Sequence, residues 1–141
     1  MKLADSSFLP IKKYIDHGKG KDTIEKDYDV LSKMKTLIKK ASKPFYGFMF
    51  FNSSHHQYYY PERFKKFSPS KNPSLIDFKQ GKDPEPYLNH YKNSLFFIDS
   101  LIEDLASTLK ENNQWDNTVL IITSDHGEEF GDTQATRFGH G

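Results

Sequence analysis

The first regular pattern of apolar positions along the chain is that of an amphipathic helix. In residues 22–42 the apolar side chains recur at steps of three and four, the period of one helix face. They are Ile24, Tyr28, Leu31, Met34, Ile38 and Ala41. Asp22 followed by Glu25 resembles a capping box, and Pro44 is a stop signal. The pattern predicts a helix over residues 22–42 with one face directed at a core.

A longer helix is predicted over residues 87–112. Its apolar side chains step by three and four through Leu88, Tyr91, Leu95, Ile98, Ile102, Leu105 and Leu109. Such a stripe predicts a helix face that packs on the core. Between the two helices, residues 52–86 are polar, aromatic and dotted with proline. A connection of this length is usually functional or contains short elements of its own.

Two short runs are apolar on both faces and predict buried strands. Residues 45–51 (FYGFMFF) follow the first helix, and residues 118–123 (TVLIIT) follow the second. Such runs are typical of parallel sheets that are covered on both sides. The order helix, strand, long loop, helix, strand predicts an α/β layer fold with a mostly parallel central sheet.

Composition excludes several functional classes. The 141 residues suffice for one modest core, and 20 basic against 19 acidic side chains give a formal net charge of +1. The chain therefore has no basic excess that would predict nucleic-acid binding. It contains no cysteine, which excludes disulfides and thiolate metal sites. No apolar run approaches the ~18 residues of a membrane span, and none near Met1 resembles a signal peptide.

The tripeptide Asp-His-Gly occurs twice, at residues 16–18 and 125–127. The first lies among lysines and glycines, a composition typical of surface turns. The second follows a predicted strand, at the edge where α/β sheets bind ligands. The Asp125 carboxylate and His126 imidazole suit Zn²⁺, Mn²⁺ or a related divalent ion, and Gly127 permits a tight turn. On these residues alone, a turn-capping Asp125 and a packed His126 remain an equal alternative.

Two further histidines are candidates for the same sheet edge. His140 follows His126 by fourteen residues and could return to the site as a ligand of a metal or an oxyanion. His55 follows the predicted strand 45–51, so two parallel strands would deliver imidazoles to one edge. For each, an ordinary surface histidine is the alternative. The neighbouring tyrosines, residues 58–60, could line a substrate site or pack on their own loop.

Three segments together resemble the sulfatase branch of the alkaline-phosphatase superfamily, which includes phosphoglycerol and phosphoethanolamine transferases. They are residues 44–64 (PFYGFMFFNSSHHQYYYPERF), residues 91–99 (YKNSLFFID), and residues 115–132 (WDNTVLIITSDHGEEFGD) with FGHG at 138–141. The similarity runs, with gaps, from about Asp27 to the last residue. It implies that the second Asp-His-Gly is a functional site and that the first is a chance repeat.

The resemblance also implies a fold and a domain organisation. Members have a three-layer α/β sandwich with a mostly parallel central sheet, of the alkaline-phosphatase type. Residues 1–141 would be a fragment of a single sulfatase-like catalytic domain, without its amino-terminal nucleophile region and its carboxy-terminal part. The family nucleophile is a formylglycine made from Cys or Ser, or a Ser or Thr. Residues 5–10 (DSSFLP) do not match a Cys/Ser-x-Pro-x-Arg motif, so no nucleophile is assigned in this chain.

Site roles follow from the resemblance residue by residue. Asp125 and His126 match half of a divalent-metal site for Ca, Mn or Zn. His140 matches a catalytic position that faces the bound sulfate or phosphate group, or a second metal. His55 matches a catalytic histidine that contacts substrate or leaving group, although Gln57 stands where relatives often carry proline.

The function implied is a metal-dependent hydrolase that acts on sulfate or phosphate esters. One alternative is a transferase of phosphoglycerol or phosphoethanolamine head groups, with a lipid head group as substrate. Another is a non-catalytic sulfatase-like domain that binds a lipid or a partner protein. Relatives are mostly exported or membrane-anchored, so the resemblance implies a parent protein at the cell membrane with an extracytoplasmic, periplasmic catalytic domain.

Overall fold

The computed structural model describes residues 22–42, 44–73, 83–131 and 138–140. Its regular elements, in chain order, are helix α1 (Thr23–Lys40), a 3-10 turn (Glu62–Phe64), helix α2 (Glu85–Glu111), a second 3-10 turn (Trp115–Asn117), strand β1 (Glu128–Phe130) and strand β2 (Phe138–His140). The two strands pair antiparallel. None of the helices in the described part of the chain is long and apolar enough to span a membrane.

Helix α1 forms where the sequence predicts it. The Asp22 carboxylate accepts the amide N–H of Glu25 at 2.8 Å, and the Glu25 carboxylate accepts that of Asp22 at 3.2 Å. These two bonds are the predicted capping box. Leu31, Met34 and Ile38 are buried, which confirms the predicted apolar face.

Helix α2 confirms the predicted element and part of the predicted face. Leu105 and Leu109 of the predicted stripe are buried, whereas Leu95 is 41% exposed and Phe97 and Leu101 are buried in its place. The true inner face also carries polar side chains, including Asn93 and the other buried polar residues Asn89, Ser94 and Thr108. Before Leu105, the stripe predicted from apolar residues alone is therefore rotated by about one residue position from the observed inner face.

The main core lies between the two helices. Its buried members are Leu31, Met34, Ile38, Phe97, Leu101, Leu105 and Leu109. The Tyr28 ring meets the Phe97 ring edge-on, with centroids 5.3 Å apart. At the far end the Gln114 side chain donates to the carbonyl of Ile38 at 3.0 Å. These contacts fix α1 against α2 and give the loop between them a rigid base.

A second, smaller core forms where that loop, α2 and β1 meet. It consists of Tyr58, Tyr87 and Phe130, with Leu88 and Tyr91 packed against it. The Tyr58 ring lies 5.1 Å from that of Tyr91 and 5.9 Å from that of Phe130, centroid to centroid. The tilted and edge-on ring arrangements are the favourable ones for aromatic pairs.

The two predicted strands 45–51 and 118–123 are not confirmed as strands. Both segments lie outside regular secondary structure and expose most of their apolar side chains, with Tyr46 75% and Val119 87% exposed. Met49 and Phe51 are the exceptions and pack against the main core. A strand needs a neighbour to accept and donate its ladder hydrogen bonds. In the residues described, the sheet contains only β1 and β2, so neither run has such a neighbour and the predicted parallel sheet is not confirmed.

Candidate functional site

His55 lies on a tight double turn between residues 52 and 58. Its amide donates to the carbonyl of Asn52 at 3.0 Å, and its carbonyl accepts the amide N–H of Tyr58 at 2.8 Å. Gln57 and Tyr58 both have left-handed backbone angles, with φ of 82° and 49°. Such angles are costly for side chains other than glycine and persist where surrounding contacts impose them. We call residues 52–58 the His55 turn; the His55 side chain on it is exposed.

Asp27 of α1 holds the start of the His55 turn. Its side chain is fully buried, and its two carboxylate oxygens accept the amide N–H groups of Asn52 and Ser53, each at 2.9 Å. A buried carboxylate is costly unless it is paired or hydrogen-bonded. The buried Asp27 side chain of α1 therefore holds in place the backbone that leads to His55.

His90 of α2 holds the end of the same turn. Its Nε2 lies 3.2 Å from the carbonyl oxygen of Gln57, so Nε2 carries the proton and donates it. Nδ1 then accepts from the hydroxyl of Tyr60 at 2.9 Å or that of Ser70 at 3.0 Å. Burial lowers the pKa of His90, which favours this neutral form.

Asn93 anchors the loop beyond the His55 turn. Its side-chain oxygen accepts the amide N–H groups of Lys66 and Phe67, both at 2.8 Å, and its amide nitrogen donates to the carbonyl of Phe67 at 3.0 Å. The loop that begins at His55 is thus tied to α2 by hydrogen bonds as well as by ring packing. All three adjacent tyrosines, residues 58–60, line an open polar hollow of about 230 Å³, and Tyr58 also packs in the second core.

Asp125 and His126 follow the exposed segment 118–123 and are themselves accessible. The Asp125 side chain is 68% exposed, and its carboxylate accepts the amide N–H of His126 at 3.1 Å. His126 Nδ1 donates to the carbonyl of Gly127 at 2.8 Å. That hydrogen bond raises the pKa of His126, and the carboxylates of Asp125 and Glu128 add to the effect. A Cβ built on Gly127 meets no atom of the described residues within 4 Å, so steric crowding does not explain that glycine.

The donor pair fits a divalent ion in its chemistry, although its two donor atoms lie farther apart than in a tetrahedral zinc site. Because Nδ1 of His126 donates to a carbonyl, the lone pair of the neutral ring lies on Nε2, the arrangement common in metal-bound histidines. Nε2 lies 3.9 Å from Oδ1 of Asp125. Two donors at ordinary Zn–N and Zn–O distances lie about 3.4 Å apart in tetrahedral geometry, so binding one zinc ion would bring these two atoms about 0.5 Å closer. Within the described residues, no group of three or more His, Cys, Asp or Glu side chains gathers into a fuller site.

The strand pairing places the His140 backbone beside this segment. In the β1–β2 ladder, His140 pairs with Glu128, two residues after His126. The sequence allows His140 to return to this site, and its role there stays a prediction. The first Asp-His-Gly, residues 16–18, lies outside the described residues.

A hydrogen bond joins the His55 turn to Glu128, two residues after His126. The Tyr58 hydroxyl donates to Oε2 of Glu128 at 3.1 Å. Burial, followed by the nearby Glu128 carboxylate, raises the pKa of Tyr58 well above its ordinary value. The structure therefore connects the His55 turn to the segment that follows His126 through residues 58 and 128. These two residues are separated by 70 positions in the sequence.

The sequence analysis missed Asp27, His90 and Glu128. For Asp27 a signal was present, since Asp27, Leu31, Met34 and Ile38 share one helical face and a carboxylate on such a face needs a partner. His90 lies at helical spacing from the buried Asn93 and Phe97. Glu128 had no local signal, because its partner is distant in sequence.

Comparison with known proteins defines the class of this chain. The family model described as Sulfatase matches residues 6–141. The chain belongs to the sulfatase family, as its motifs predict. Membership implies an alkaline-phosphatase-like α/β fold. No solved structure gives a significant match.

Curated relatives extend the comparison. The phosphoethanolamine transferase EptA of Escherichia coli K12 is 35% identical over 73 residues, 52% of this chain and 13% of the relative. The uncharacterized sulfatase YdeN of the same strain is 27% identical over 120 residues, 84% of this chain and 18% of the relative. The multifunctional alkaline phosphatase superfamily protein PehA of Trinickia caryophylli is 49% identical over 35 residues, 25% of this chain and 7% of the relative. The chain thus spans less than a fifth of each of these relatives.

Proposed function

We propose that residues 1–141 are part of a catalytic domain that cleaves phosphate or sulfate esters with a divalent metal ion. The observation that carries the proposal is the Asp125–His126 donor pair, 3.9 Å apart, with the His140 backbone in register beside it in a sulfatase-family chain. The remaining metal ligands and the nucleophile would come from elsewhere in the parent protein.

The exposed apolar segments support the view that this is one part of a larger domain. Residues 45–50 and 119–122 carry eight large apolar side chains that are 37% exposed or more. Such runs are stable in water once neighbouring strands cover them. We assign their missing neighbours to the rest of the parent domain, which agrees with the small share of each relative that the chain covers.

In this proposal each site residue has one task. Asp125 and Nε2 of His126 hold the metal ion, which when bound polarises an ester oxygen at phosphorus or sulfur. His55 contacts the substrate or leaving group from its turn, and His140 faces the transferred group. The hydrogen bond from His126 Nδ1 to Gly127 keeps the ring oriented for binding through Nε2.

The similarity to EptA favours transfer of phosphoethanolamine over hydrolysis as the particular reaction. In that case a hydroxyl of a lipid head group, rather than water, would accept the phosphoethanolamine group, and the alcohol of the donor lipid would leave. The parent protein would then act at a membrane, with this domain outside the cytoplasm. A sulfate- or phosphate-ester hydrolase remains the second candidate, which the similarity to YdeN favours.

The test is Asp125→Ala in the full-length parent protein. The substrates are p-nitrophenyl phosphate, p-nitrophenyl sulfate, and vesicles with a fluorescent phosphatidylethanolamine. We expect at least a hundredfold loss on the substrate that the wild type uses, together with loss of bound metal. Asp16→Ala, in the other Asp-His-Gly, is the matched control and should change neither quantity.

The outcomes separate the candidates. Activity on the lipid alone supports the transferase, and activity on an aryl ester alone supports the hydrolase. A wild type with no activity and no stoichiometric metal would instead support a non-catalytic lipid- or partner-binding domain. An Asp125→Ala protein with unchanged activity and metal content would refute the proposed metal site.

A further inference from the structure

The second core contains a polar contact that packing does not require. The Tyr58 side chain is 1% exposed, yet its hydroxyl points to a carboxylate, that of Glu128, at 3.1 Å. Tyr91 and Phe130 fill the space around its ring. A phenylalanine at position 58 would make the same ring contacts, so the hydroxyl serves the link to Glu128.

Both ends of this link are close in sequence to candidate site residues. On one side, the Tyr58 amide donates to the carbonyl of His55 at 2.8 Å, so the two residues belong to one closed turn. On the other side, Glu128 begins β1 two residues after His126 and pairs with His140. The Tyr58–Glu128 hydrogen bond therefore ties the turn that carries His55 to the strand that follows His126.

The backbone of the turn indicates that the inward position of Tyr58 is enforced. Consecutive left-handed angles at Gln57 and Tyr58 direct residue 58 into the second core while residue 55 stays exposed. Each such angle is unfavourable for a residue other than glycine and needs compensation from its surroundings. The hydrogen bonds to Glu128 and from His90 to the Gln57 carbonyl supply part of that compensation.

We infer that Tyr58 and Glu128 are positioning residues that fix His55 relative to the Asp125–His126 segment. The inference rests on the proposed function, since it gives His55 a task on the substrate. Neither residue touches the reacting atoms; both act through His55. Displacement by about 1 Å at a reacting group can reduce a rate a hundredfold, so a single hydrogen bond suffices for a measurable role.

The experiment is a double-mutant cycle in the full-length protein, assayed on the substrate that its wild type cleaves. Tyr58→Phe should lower kcat/KM roughly 10- to 100-fold, with metal content and melting temperature close to wild type. In a His55→Ala background the same substitution should change kcat/KM less than about twofold, because the group being positioned is gone. Tyr91→Phe is the matched control: it removes a hydroxyl from the same core and should cost less than about threefold.

Glu128 provides an independent arm. Glu128→Gln keeps an acceptor for the Tyr58 hydroxyl and should retain most of the activity that Glu128→Ala loses. Equal losses from Tyr58→Phe in the two backgrounds, or a loss no larger than that of Tyr91→Phe, would overturn the inference. If His55→Ala is fully active, the inference also fails. The proposed function fails separately, through an active, metal-replete Asp125→Ala protein.

Discussion

Replacing Asp27 with alanine should loosen the His55 turn locally before the rest of the molecule unfolds. The change removes the buried carboxylate that accepts the amide N–H groups of Asn52 and Ser53 at 2.9 Å. Hydrogen bonds to charged groups contribute about 1.5–3 kcal/mol each. Asn52 is partly exposed, so water can replace its lost partner, whereas the fully buried Ser53 is left with an unpaired donor.

We therefore expect Asp27→Ala to cost about 3–5 kcal/mol, the sum of two hydrogen bonds to a charged group less what water restores at Asn52. If about 3 kcal/mol of this appears as local opening, the Ser53 amide should exchange with solvent roughly 150-fold faster, at 1.36 kcal/mol per factor of ten. Asp27→Asn keeps one acceptor oxygen and should lie between alanine and wild type.

The assay is hydrogen exchange of peptides spanning residues 50–58 in the full-length protein, combined with urea unfolding. Asp104→Ala is the control, because Asp104 is an exposed carboxylate paired with Lys35 at 2.5 Å and should cost about 0–1 kcal/mol. Unchanged exchange at residues 52–53, with a cost no greater than that of Asp104→Ala, would show that the carboxylate does not hold the turn.

Two further predictions concern α2. Phe97→Ala, at a fully buried position, should lower the free energy of unfolding by about 3–5 kcal/mol, against about 1 kcal/mol or less for the exposed Leu95→Ala; equal urea midpoints would contradict the assigned helix face. Burial lowers the pKa of His90, so its contribution to stability is present above the ordinary pKa of about 6.5 and is lost as the pH falls toward the folded value. Urea midpoints from about pH 7 to 5 should therefore fall more steeply in wild type than in His90→Gln; identical slopes would refute this assignment.

The helices were predictable from the sequence because their signals are local. The capping box at Asp22 and the steps of three and four settle α1 within its own residues. The face of α2 was predicted less well, because inward polar side chains such as Asn93 find partners on a loop 26 to 27 residues away. A pattern of apolar positions contains no information about such partners.

For the strands and the candidate site as well, features with a local sequence signal were predictable and features that depend on distant residues were not. The runs at 45–51 and 118–123 are apolar enough for a buried sheet, but whether they form one depends on neighbours that the described residues do not supply. For the site, the Asp125–His126 motif was recognisable as a local unit. The contact between Tyr58 and Glu128 was not, because two residues 70 positions apart show no common pattern in one sequence.

The separation of Tyr58 and Glu128 also sets an order of events in folding. Closing a loop of 70 residues costs roughly 4 kcal/mol of chain entropy, more than the ~1 kcal/mol that one hydrogen bond returns. This hydrogen bond alone therefore cannot offset the entropy cost of bringing Tyr58 and Glu128 together. It forms after the packing of α1 against α2 has brought the two residues close. The His55 turn and the Asp125–His126 segment should meet among the last steps of folding and separate among the first steps of unfolding.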